Sequence, residues 1–131
     1  MNQLLMSLVA SLMLLRADAA ELSKVEILTP YLQDLAQCES GGRPDIKILD
    51  TNNYYSYGKY QYQLATWKKY GIEFGYFEKD ISDAEARKHI YKEWLQDDMT
   101  LRIFLNYPEA WRMWYNCSKK VGLDTLYLGK F

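Results

Sequence analysis

Two glycines close an apolar segment at Cys38-Glu39-Ser40-Gly41-Gly42. A second glycine-centred cluster, Ser56-Tyr57-Gly58-Lys59-Tyr60-Gln61, follows shortly after. Paired glycines let a chain turn sharply and let a ligand approach the backbone closely. The chain is therefore expected to reverse just past Glu39, which leaves this carboxyl in the last turn of the preceding element. A Glu set at such a turn can face a cleft while its stem stays packed. That environment raises a carboxyl pKa and suits a general acid.

The segment before the glycines has Tyr31, Leu32, Leu35 and Cys38 at helical spacing. Thr29-Pro30 reads as its N-cap and first position, after a short lead-in helix over 21–28. Residues 43–57 carry Pro44, paired asparagines and a tyrosine run, which reads as a loop or short hairpin, with 59–62 continuing it as a strand. A helix is expected from 63 or 64 to Tyr70, stopped by Gly71. Ser82-Asp83-Ala84-Glu85 is a capping box opening a helix to about Asp97. Another covers roughly 99–105, and a last one runs from Pro108 to about Lys120 with Gly122 as terminator. The pattern is mainly helical with a small β or loop lobe.

The 131 residues fit one domain, and the 12 Tyr, 4 Trp and 4 Phe supply a substantial core. Exposed members of that set would suit flat amphipathic ligands such as sugar rings, though any single Tyr reads more simply as core. The formal net charge is −1 and no basic stripe is present, so nucleic acid is not an expected partner. Leu4–Leu15 is an apolar run too short to cross a bilayer comfortably, and Ala17-Asp18-Ala19 has the small-residue spacing of a leader cleavage site. We read 1–19 as a signal peptide, with an uncleaved anchor as the alternative because no Lys or Arg precedes the run. The domain is then 20–131. Export makes Cys38 and Cys117, the only cysteines, an expected disulfide; two free buried thiols are the alternative. Such a bridge would pin the Glu39 helix to the last helix, with the second lobe beside them forming a cleft.

These residues carry a resemblance. Glu39-Ser40-Gly41-Gly42 resembles the first motif of the lytic transglycosylase domain in the lysozyme-like superfamily, and Cys38 before it resembles the start of the resuscitation-promoting-factor domain. Ser56-Tyr57-Gly58-Lys59-Tyr60-Gln61-Tyr62 resembles the second motif, Thr66-Trp67 the helix after it, and Trp114-Tyr115-Asn116-Cys117 the third. The likeness spans about Leu35 to Asn116. It implies a mainly α, α+β lysozyme-like fold in which a helical domain and a small β lobe flank a sugar-binding cleft. It also implies action on peptidoglycan glycan strands. The leader points to a secreted, periplasmic or wall-associated protein, a single His with Cys38 and Cys117 paired offers no metal set, and a monomer without a cofactor is expected. Glu39 carries over as the catalytic acid at the bond between N-acetylmuramic acid and N-acetylglucosamine. Ser56, Gly58, Gln61, Tyr115 and Asn116 carry over as substrate-binding residues.

Glycosidases generally need a second carboxylate as nucleophile or base. Asp45 and Asp50 are the nearby candidates, and both read more simply as turn residues. A lone carboxylate suits the transglycosylase route, which gives 1,6-anhydro products. A hydrolytic muramidase is the alternative, and a non-catalytic wall-binding or signalling module is another. Two departures from the family pattern stand out: Cys117-Ser118 replaces a small residue and Gly, and Lys59 replaces an apolar residue.

Overall fold

The computed structural model describes the backbone of residues 3–129 and 131, with side chains from Asp18 onward. The side chains of most of the expected leader, 1–19, lie outside that range. Helix α1 spans Gln3–Ser40. Leu28, Leu32, Leu35 and Ala36 form its buried stripe, while Gln33, Asp34 and Gln37 face water. It runs straight through Pro30, so Thr29-Pro30 is not a helix start. Pro30 and Glu26 lie on the solvent side, where the carbonyl that loses its donor to proline can be hydrated. Thr29 Oγ1 donates to the Val25 carbonyl (2.6 Å) rather than capping a new helix. The end falls where expected. Gly41 and Gly42 have φ of 68° and 75°, and their N–H groups donate to the Gln37 and Ala36 carbonyls.

Three short strands follow, β1 (Lys47–Leu49), β2 (Tyr55–Tyr57) and β3 (Tyr62–Gln63), in the antiparallel order β1-β2-β3. Asp50 and Asn53 turn the β1–β2 hairpin, with Asn53 at φ 69° and the Asn52 side chain accepting from the Tyr54 N–H (3.1 Å). Between β2 and β3 the chain makes a tight turn over 58–61 rather than the expected strand.

Helix α2 (Leu64–Glu73) contains Gly71 instead of ending at it. A Cβ on Gly71 would lie 2.2 Å from the Phe77 ring, so this glycine serves packing and not termination. Ser82 caps α3 (Asp83–His89), its hydroxyl accepting from the Glu85 N–H (3.1 Å). The break to α4 (Glu93–Asn106) falls at 90–92, earlier than expected at Asp97. The last expected helix is three pieces: a 3-10 turn (Ala110–Trp114), α5 (Tyr115–Val121) and α6 (Leu123–Leu128).

Aromatic residues make up much of the core. Tyr62 meets Trp67 and Trp114 edge-on at 5.2 and 5.5 Å, and Phe104 stacks on Trp114 at 5.5 Å. Cys38 and Cys117 form a disulfide that ties α1 to α5. Among the described residues no helix is long and apolar enough to cross a membrane. The architecture is mainly helical with one small antiparallel sheet.

Candidate active site

A pocket of about 460 Å³ opens where the end of α1, the hairpin and the 3-10 turn meet. Glu39, Asp50, Ser56, Gln61, Gln63 and Trp114 are among its walls. Glu39 reaches it because the glycine stop ends α1 one residue later, while the disulfide at Cys38 holds this last turn against α5. Ser40 fixes the same turn from the other side, donating to the Lys59 carbonyl (2.7 Å). Glu39 is half-buried, and its carboxyl pKa is raised from 4.5 to about 7. Burial is the largest cause, the negative charge of Asp50 adds to it, and Lys120 opposes both. The carboxyl therefore keeps its proton to a higher pH than a free glutamate does.

Opposite Glu39 stands the hairpin. The Ser56 hydroxyl donates to Asp50 Oδ2. Gln63 Nε2 donates to the same oxygen (3.0 Å). Asp50 thus occupies the turn, as expected, and its carboxylate also faces the cleft.

Gln61 sits at φ 58°, a left-handed conformation uncommon outside glycine. The turn that holds it is clamped by buried groups. The Gln96 amide donates to the carbonyls of Tyr57 (3.0 Å) and Ile90 (2.6 Å) and accepts from the Tyr60 N–H (2.8 Å). Trp114 Nε1 donates to the Tyr60 carbonyl (2.7 Å), and Gln61 Nε2 closes the turn on the Gly58 carbonyl (2.9 Å). Lys59 pairs with Glu93 (3.1 Å) and Asp97 (2.9 Å) of α4, so its departure from the family pattern anchors the turn to that helix.

Of the residues singled out from the sequence, Glu39, Ser56 and Gln61 share the pocket. Gly58, Tyr115 and Asn116 are not part of its wall. Gly58 is buried at φ 74°, and a Cβ there would lie 2.4 Å from Gln96 Nε2. The close approach it permits is that of Gln96, not of a ligand. Tyr115 is half-exposed and stacks on Trp111 (6.0 Å), with its hydroxyl accepting from Lys119 (3.3 Å). Asn116 is exposed. The 3-10 turn before α5 sets the rotation, so Met113 and Trp114 face the cleft and the next two side chains point elsewhere. Gln63 was not singled out; only its place two residues past Gln61 hinted at it.

The helical body, the small sheet and a carboxyl-bearing cleft between them define an α+β domain of the lysozyme-like class. Residues 28–92 match the profile of the transglycosylase-like domain, consistent with the lytic transglycosylase type of the lysozyme-like superfamily. The matched segment holds Glu39, Asp50, Ser56, Gln61 and Gln63; Trp114 lies beyond it. No curated protein and no solved structure gives a significant match. This match suggests a family of the peptidoglycan-cleaving, lytic transglycosylase type.

Proposed function

We propose that the chain is an exported enzyme that cleaves the β-1,4 bond between N-acetylmuramic acid and N-acetylglucosamine, with Glu39 as its acid and base. The observation that carries this reading is the half-buried Glu39 carboxyl in a cleft, holding a proton near neutral pH. Glu39 donates that proton to the glycosidic oxygen as the bond to C1 breaks, and the leaving sugar departs as an alcohol. The substrate's acetamido group supports the cationic C1. The Glu39 carboxylate then takes the proton of the C6 hydroxyl, whose oxygen bonds C1. The product is a 1,6-anhydro sugar, Glu39 is again protonated, and no water is consumed. Ser56 and Gln61 orient the sugar from the opposite wall.

The disulfide supports an oxidising, non-cytoplasmic location. In this account residues 1–19 are removed as a leader and 20–131 form the mature domain.

One observation favours a second reading. Asp50 faces the same cleft, held by Ser56 and Gln63. It could activate a water on the far face of the sugar, making the enzyme a hydrolytic muramidase. Mass spectrometry of fragments released from purified peptidoglycan separates the two. Fragments ending in 1,6-anhydro sugars, still formed by Asp50→Asn, are expected. Reducing ends that vanish in Asp50→Asn would transfer the assignment to hydrolysis, and intact peptidoglycan would overturn both.

A further inference from the structure

A second cavity, also about 460 Å³, lies beside the first. Asn52, Tyr54, Tyr55 and Tyr57 of the hairpin wall it, facing Asp83 and Arg87 of α3. Gln63 lines both cavities. Its amide joins them chemically: Nε2 donates to Asp50 Oδ2 (3.0 Å) on one side and Asn52 Oδ1 (3.1 Å) on the other, and Oε1 accepts from Asn52 Nδ2 (3.0 Å). Gln63 is therefore the wall the two cavities share.

The chemistry of the walls selects the branch. Asp83 is already neutralised by Lys68 at 2.9 Å. Arg87 is close enough to feel the Asp83 charge but makes no ion pair or side-chain hydrogen bond with any described residue, so its guanidinium donors are uncommitted. A planar guanidinium with free donors is matched by a carboxylate. The tyrosines add apolar faces with polar tips, and Tyr54 is 68% exposed. Such a surface suits a short chain of amide bonds and small side chains.

We infer that the second cavity binds the carboxylate-bearing peptide stem carried by the muramic acid whose sugar occupies the Glu39 pocket, with Arg87 as the carboxylate anchor. This rests on the assignment of the first pocket to peptidoglycan. Arg87 would act on affinity for the branched substrate and not on bond cleavage itself. A tethered peptide needs little intrinsic affinity, because the bound sugar holds it at high effective concentration.

Calorimetry on the full chain carrying Glu39→Gln tests the idea without turnover. The probes are the N-acetylglucosaminyl-N-acetylmuramic acid disaccharide with its stem peptide and the same disaccharide stripped of it. The peptide-bearing form should bind roughly tenfold more tightly. Adding Arg87→Gln, or separately Tyr54→Ala, should bring the two ligands to the same affinity. Both side chains are exposed, and circular dichroism verifies folding. If the two ligands bind alike before either change, or the preference survives both, the second site is refuted while the first pocket stands. If neither ligand binds, the assignment of the Glu39 pocket falls with it.

Discussion

Replacing Glu39 by glutamine should stabilise the fold in alkaline solution and leave it nearly unchanged in acid. The wild-type carboxyl is pulled from water by the end of α1 and faces Asp50, which lifts its pKa from 4.5 to about 7. At about 1.4 kcal/mol per pH unit the shift amounts to roughly 3 kcal/mol, and solvent reaching this half-buried group trims it to about 2 kcal/mol. The folded chain keeps its proton to higher pH than the unfolded chain. Stability is therefore lost as pH rises from about 4.5 through about 7. Glutamine has the same shape and cannot ionise. Urea unfolding followed by tryptophan fluorescence should show the variant ahead by about 2 kcal/mol at pH 8, and by little at pH 4, where both states of the wild type are largely protonated. In thermal melts this is a rise of roughly 6–10 °C at pH 8 for a domain of this size. A difference that is equal at the two pH values, or a less stable variant at pH 8, would refute the claim that this carboxyl is ionised at a cost.

The rate of peptidoglycan cleavage should fall as pH rises through about 7, where Glu39 loses its proton. Asp50→Asn, by removing a charge that raises Glu39, should move that limb to lower pH; an unmoved limb would count against their coupling. Reducing the Cys38–Cys117 bridge, which joins positions 79 apart, should lower unfolding stability by roughly 4 kcal/mol; unchanged urea midpoints with and without reductant would contradict it. Gln96→Leu strands the Tyr60 N–H and the Tyr57 and Ile90 carbonyls. It should cost about 3 kcal/mol and weaken cleavage through the displaced Gln61 turn, while unfolding at the wild-type midpoint would be the opposing result.

Local rules read the cleft's first wall well. The glycines after Ser40 ended α1 where expected, and the asparagine pair turned the hairpin. Both are decided by backbone conformation that neighbouring residues alone impose. Other features depended on tertiary surroundings. Pro30 reads as a helix start, but its solvent-side position lets α1 continue. Gly71 reads as a stop, but the Phe77 ring that folds over it comes from beyond the helix. Tyr115 and Asn116 are expected at the cleft through the family resemblance alone, with the last helix read as regular from Pro108. The intervening 3-10 turn changes the angular step and brings Trp114 to the cleft instead. Asp50 shows the limit most clearly. Its backbone obeys turn chemistry, yet its carboxylate is held by the side chains of Ser56 and Gln63 from the neighbouring strands, which no local pattern specifies.

The most direct measurement is the release of soluble sugar from purified sacculi at pH 6, with wild-type and Glu39→Gln proteins side by side and both shown to be folded. The account predicts release by the wild type and a loss of at least about a hundredfold in the variant, the usual size of a general-acid contribution. Equal release by the two proteins would contradict it.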